Sequence, residues 1–221
     1  MSQGIQRRKQ VMGREPVIHI VEDDASLRQA LEDLFQSVGH STRTFGSTAA
    51  FIESVDRDAP GCLVLDIRLP GVSGLDFQVR MEGLGIRLPV ILMTGHGDIP
   101  MSVRGMKAGA VDFLTKPFRD QDMLDAVTEA LERDDRRRAA AADTAEVWRR
   151  FSTLSPREQQ VMRLVSAGRL NKQVAGDLAI SEVTVKIHRG AAMRKMGARS
   201  LADLVRMADV ISASPQTNTT V

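Results

Sequence analysis

Five side chains suited to phosphoryl chemistry stand in the first half of the sequence: Glu22 and Asp23, Asp66, Thr94 and Lys116. Each lies at or just beyond the end of a short apolar run, at residues 17–21, 62–65, 89–93 and 111–114 respectively. Three carboxylates brought to one point repel one another and raise a pKa unless a cation joins them. A hard divalent ion meets that need, and Mg²⁺ takes oxygen ligands while keeping several waters and phosphate oxygens. Asp66 can then attack phosphorus as a nucleophile and carry the group as an acyl phosphate. Lys116 and Thr94 would hold the phosphoryl oxygens, over which the charge of the reaction is spread.

The spacing of apolar residues shows how such groups could meet. Residues 17–21 are short and β-branched, as a buried strand should be, and the next segment places Leu27, Ala30, Leu31, Leu34 and Val38 at helical spacing. Further strands are predicted at 41–45, 62–66, 89–93 and 111–114, with helices at 25–38, 48–55, 74–82, 99–108 and 119–132. Strict alternation predicts an α/β fold, a doubly wound five-stranded parallel sheet covered on both faces. Ligands of such sheets sit beyond the carboxyl ends of the strands, where the five polar side chains fall. Asp24, in the same acidic run, is expected to cap the first helix.

Composition narrows the alternatives. The single cysteine, Cys62, excludes an internal disulfide and a zinc–cysteine cluster, and its apolar surroundings predict a buried side chain in a cytoplasmic protein. No apolar run approaches the about 20 residues of a membrane span, so no membrane partner is expected. Residues 1–15 carry four basic residues without an apolar stretch and read as a flexible basic tail, not a signal peptide. The net charge of +2 conceals a division. Residues 16–132 hold 10 Lys and Arg against 18 Asp and Glu, whereas residues 151–210 hold 10 against 5. An acidic half and a basic half imply two domains with different partners, a polyanion being suited only to the second.

Between the halves, residues 133–150 are rich in Ala, Arg, Asp and Glu and are read as a helical linker. Beyond it, Ser155, Pro156 and Glu158 form a capping box that opens a helix ended near Gly168. A short helix is predicted at 171–178, a turn at Ala179 and Ile180, and a longer basic helix from Ser181 to about Met196, ended by Gly197. An apolar helix follows at 200–208, before a flexible tail at 211–221. Two helices about a turn, the second basic, make a small all-α helix-turn-helix domain over 151–210 whose second helix lies in the major groove of DNA. Val174, Ala175, Leu178, Val183 and Val185 are expected in its core. His188 is open to either a phosphate contact or a packed structural role, and His19 is expected to be structural.

The ordered set Glu22, Asp23, Leu65-Asp66, Pro70-Gly71, Thr94 and Lys116-Pro117-Phe118 resembles a response-regulator receiver, and residues 94–118 are similar to FixJ-type regulators in particular. Residues 154–208 resemble the LuxR/FixJ-type DNA-binding domain through Leu154 to Glu158, Gly168, Asn171-Lys172, Val174-Ala175, Ile180-Ser181, Thr184-Val185-Lys186, His188 and Lys195-Met196-Gly197. The resemblance implies a two-component regulator of the FixJ/NarL type: a receiver at 16–132 that accepts a phosphoryl group on Asp66 from a sensor histidine kinase. It implies Mg²⁺ held by Asp23, Asp66 and the Arg68 carbonyl, with Glu22 reaching the ion through water, and a switch made by Thr94 and Phe113. It also implies Lys186 and Ile187 on base edges of double-stranded DNA. Lys172, Thr184, Arg189 and Arg194 fall to phosphates, and the phosphorylated protein is expected to bind as a homodimer. Gly190 stands where relatives carry a longer side chain, which leaves the operator sequence open. Dehalogenase-type phosphatases share the nucleophilic Asp with a downstream Thr and Lys, but need an acid two residues after the nucleophile. Arg68 stands there, so no enzymatic turnover is expected.

Overall fold

The computed structural model describes residues 14–95 and 99–213, so most of the tail at 1–15, most of that at 211–221, and His96, Gly97 and Asp98 lie outside the described residues. Strands β1 (Val17–Val21), β2 (Ser41–Phe45), β3 (Gly61–Asp66), β4 (Val90–Thr94) and β5 (Asp112–Thr115) form one parallel sheet in the order β2-β1-β3-β4-β5. They alternate with α1 (Ala25–Ser37), α2 (Thr48–Ser54), α3 (Gly74–Met81), α4 (Ile99–Lys107) and α5 (Asp120–Ser152). The second half holds α6 (Pro156–Ser166), α7 (Asn171–Leu178), α8 (Glu182–Met196) and α9 (Leu201–Ala213).

Every residue of β3 and β4 is buried, as a parallel sheet covered on both faces requires. On one face Ile18, Ile20, Cys62, Val64, Ile91 and Met93 meet Leu31 and Phe35 of α1 and Met123, Val127 and Ala130 of α5. On the other, Val21, Leu63, Leu65 and Leu92 meet Phe51 of α2 and Leu75, Phe77 and Met81 of α3. Each large side chain so buried contributes about 1.5–3 kcal/mol. The cores also fix the register, in which Val21 pairs with Leu65, Asp66 with Met93 and Thr94 with Thr115. Cys62 lies fully buried at the start of β3, and burial followed by the nearby Asp134 carboxylate pushes its thiol pKa far up. His19, also buried, packs against Phe45 and Phe51 at ring distances of 6.1 and 5.4 Å, and neither ring nitrogen has a hydrogen-bond partner. Asp24 caps α1 by accepting from the backbone of Ser26 and Leu27 at 2.8 and 3.1 Å.

Helix α5 runs unbroken for 33 residues, and the chain divides into two compact units within it, between Arg137 and Arg138. Its helical form beyond residue 132 rests on good helix formers and on pairs one turn apart: Arg137 with Asp134 at 2.5 Å, and Arg149 and Arg150 with Glu146, both at 2.7 Å. Asp134 is buried and also accepts from the Gly61 backbone N–H at 3.0 Å, which fastens the helix to the first residue of β3. Gly61 has φ 153°, and a Cβ there would stand 2.0 Å from the Val17 carbonyl oxygen, so only glycine fits.

In the second unit Phe151, Leu154, Val161, Met162, Val165, Val174, Val185, Ala192, Met196 and Leu204 form the core. The capping box is complete: Ser155 Oγ accepts from the Glu158 N–H at 3.3 Å, and Glu158 accepts from the Ser155 N–H at 2.7 Å. Glu158 also accepts from Lys195 Nζ at 2.6 Å, which joins α6 to the end of α8. Val183 departs from the expected core. It is 66% exposed, because the phase of α8 is set by Val185, Ala192 and Met196 on its buried side.

Candidate functional site

The carboxyl ends of β1, β3, β4 and β5 bring Glu22, Asp23, Asp66, Thr94 and Lys116 to one crevice. Glu22 follows Val21 in a register that sets it beside Asp66, and carboxylate oxygens of Glu22, Asp23 and Asp66 lie within 4.8 Å of one another. Lys116 Nζ donates to Glu22 at 2.6 Å and to Asp66 at 2.8 Å, and its backbone N–H donates to the Thr94 carbonyl at 2.7 Å. The other Asp66 oxygen accepts from the Arg68 N–H at 3.0 Å. Burial pushes the Glu22 carboxyl above its usual range in spite of the ammonium beside it. Burial lowers the Lys116 pKa, but the hydrogen bonds its ammonium donates to Asp66 and Glu22 outweigh it and the net shift is upward. Thr94 is fully buried, Asp23 is exposed at the mouth, and Phe113 is half-buried against the α2–α3 side of the core.

The second unit carries a different surface. Ser181 caps α8, its hydroxyl accepting from the Thr184 N–H at 3.0 Å and lying 2.8 Å from the Thr184 hydroxyl. Lys186 and Ile187 are exposed on the second turn of α8, Lys172 is exposed on the first turn of α7, and Arg189 is half-buried. Arg194 is exposed in the last turn of α8, where a cation also complements the helix dipole.

Residues 18–154 match the response regulator receiver domain family, and residues 152–208 match the luxR family of bacterial regulatory proteins. The chain belongs to the response regulators. This regulator is 56% identical over 198 residues to Nodulation protein W of Bradyrhizobium diazoefficiens, covering 90% of this chain and 87% of that protein. It is 47% identical to the response regulator protein TodT of Pseudomonas putida, over 91% of this chain and 88% of that protein. Among solved structures it is similar to response regulator StyR, with 44% identity, a TM-score of 0.78 and coverage of 88% of this chain and 98% of that one. Full-length FixJ from B. japonicum gives 36% identity and a TM-score of 0.55, with coverage of 92% and 100%. The family is one of transcription regulators rather than enzymes: a receiver addressed by a sensor kinase is joined to a domain that binds DNA. No helix among the described residues is long and apolar enough to cross a membrane.

Some residues that hold the regulator's crevice together were not singled out in the sequence. Arg28 of α1 donates to the carbonyls of Glu22 and Asp23 at 2.7 and 3.3 Å and so pins the acidic loop. Its position one turn after Asp24 is a weak signal, shared by many surface arginines. Gly74, the first residue of α3, packs so closely that a Cβ there would lie 2.2 Å from the Asp66 carbonyl oxygen. Gly74→Ala must therefore displace backbone, and is expected to cost about 1–3 kcal/mol and shift Asp66. Urea unfolding combined with the rate of Asp66 modification checks this, and an unchanged rate at unchanged stability would contradict it.

Proposed function

We propose that Asp66 accepts a phosphoryl group from a phosphohistidine of the sensor kinase and that the phosphorylated regulator binds DNA as a homodimer. The observation that carries this reading is the placement of Asp66 between Lys116 and the acidic pair, at the carboxyl ends of a parallel sheet. Three carboxylates facing one ammonium leave two negative charges in excess, which one divalent cation cancels. The donors are all oxygens, which suits Mg²⁺: Asp23, Asp66 and the Arg68 carbonyl would hold it, with Glu22 reaching it through water. Such an ion, when bound, offsets charge on the phosphoryl oxygens.

An Asp66 carboxylate oxygen forms the new bond to phosphorus as the phosphorus–nitrogen bond breaks, the electron pair leaving with the imidazole. Lys116 steadies a phosphoryl oxygen, and Thr94 turns its hydroxyl toward another, opening space that Phe113 enters. The surface of α4, β5 and α5 is then altered for pairing with a second copy. The receiver at 16–132, the linker at 133–150 and the DNA-binding domain at 151–210 divide this work, which takes place in the cytoplasm, where DNA and kinase meet. On DNA, α8 enters the major groove with Lys186 and Ile187 at base edges. Lys172, Thr184, Arg189 and Arg194 meet phosphates, which position the domain. Footprinting with and without acetyl phosphate tests the whole: paired protections about one helical turn apart should appear at lower protein concentration after treatment. Identical footprints in both states, with sedimentation showing one association state, would refute phosphorylation-driven dimer binding.

A further inference from the structure

We infer that Val183 is a specificity-determining residue that reads the C5-methyl group of a thymine in the major groove, beside the base edge met by Lys186. The inference rests on the reading of α8 as the recognition helix. Val183 is the second residue of that helix, and the N-terminal residues of a recognition helix are those that reach base edges. Val183 is 66% exposed and Ile187, one turn on, is 64% exposed. Lys186 lies three residues and Ile187 four residues after Val183, so the three share one face. The opposite side is occupied by Val185, Ala192 and Met196, all fully buried. Further along the outward face Gly190 presents no side chain, which concentrates reading on the first two turns.

The chemistry selects the occupant. Base edges in the major groove offer hydrogen-bonding groups with one apolar exception, the thymine methyl. Valine cannot satisfy a donor or acceptor, so pressing it on a polar edge would leave that group dehydrated and unpaired. A methyl group loses nothing there and gains the burial of apolar surface on both sides. Removing one methyl from such a contact corresponds to about 0.8 kcal/mol, or about fourfold in affinity.

The test uses the full-length protein treated with Mg²⁺ and acetyl phosphate, and an operator selected from a random duplex library. Each thymine of the half-site is replaced singly by deoxyuridine, and affinity is measured at fixed salt for the wild type, Val183→Ala, Ile187→Ala and Lys186→Ala. One thymine per half-site should cost the wild type about fourfold when its methyl is removed. Val183→Ala, which removes two methyl groups, should bind the unmodified operator at least about fourfold more weakly and be indifferent to that methyl, while Ile187→Ala still senses it. Val183→Thr, which keeps the shape and adds a hydroxyl, should relax the preference at the same position. If every methyl effect persists in Val183→Ala, or that variant binds as the wild type does, Val183 is not a reader. If Lys186→Ala retains full preference while the Val183 effect holds, the groove reading is misassigned for Lys186 alone and the Val183 assignment stands. A wild type with no preference across the library overturns both.

Discussion

An Asp66→Asn protein incubated with Mg²⁺ and acetyl phosphate is expected to keep its unmodified mass, whereas the wild type gains one phosphoryl group. The loss should be complete, because the amide has no anionic oxygen to attack phosphorus, and the carboxylate it replaces is the one set at the end of β3 between the Lys116 ammonium and the Arg68 N–H. An acyl phosphate still formed on the variant would move the acceptor elsewhere. Lys116→Met probes the same crevice from the opposite charge. It leaves Glu22 and Asp66, both under 10% exposed, without their shared cation. Removing one partner of a buried pair costs about 3–5 kcal/mol. Mg²⁺ should therefore stabilise Lys116→Met against urea more than it stabilises the wild type, since the ion is then the sole counter-charge. Equal stabilisation of the two proteins would mean that the ion binds away from this cluster.

Acidification should weaken the receiver unit through His19 from about pH 6.5 downward. Burial, then the Arg43 guanidinium on the neighbouring strand, holds the His19 pKa down from 6.5 to about 4. Above pH 6.5 the ring is neutral in both folded and unfolded chains, and its packing against Phe45 and Phe51 is fully effective. As pH falls from 6.5 toward 4 the unfolded chain takes up a proton that the folded one refuses, so stability declines by about 1.4 kcal/mol per pH unit. It levels off below the folded value. Over the window the loss is about 3 kcal/mol, a large part of a domain's total. Urea unfolding followed at several pH values should show this slope in the wild type and lose it in His19→Phe, which cannot protonate. A slope unchanged by the substitution would assign the acid sensitivity to other groups. The second unit has a lower window: the Lys195 and Ser155 hydrogen bonds hold the Glu158 carboxyl below its usual range, so its contribution persists until the pH falls beneath that of ordinary carboxylates.

The crevice was legible in the sequence because each of its polar residues follows an apolar run whose type and length announce a strand, and the parallel alternation sends those strand ends to one edge. The capping box at Ser155 and the cap at Asp24 were legible for a similar reason, being local hydrogen-bonding patterns of three or four residues. Features joining distant positions were not. Asp134 and Gly61 are 73 residues apart, and nothing near Asp134 distinguishes it from the exposed acids of the same helix. Val183 and Val185 look alike in composition, and two residues along a helix they face opposite ways. Only the burial of Ala192 and Met196 decides which turns inward. Lys195 reads as one more basic residue of the recognition helix, yet its ammonium is engaged by Glu158.

The buried thiol of Cys62 has a practical consequence. As the only cysteine of the chain, enclosed at the start of the central strand and with its thiolate strongly disfavoured, it will not meet a maleimide while the receiver stays folded. A cysteine placed on the exposed surface of α8 or α4 will therefore take a fluorophore alone, without replacement of any native residue. The native thiol serves meanwhile as a silent clock, labelled only at the rate at which β3 comes open.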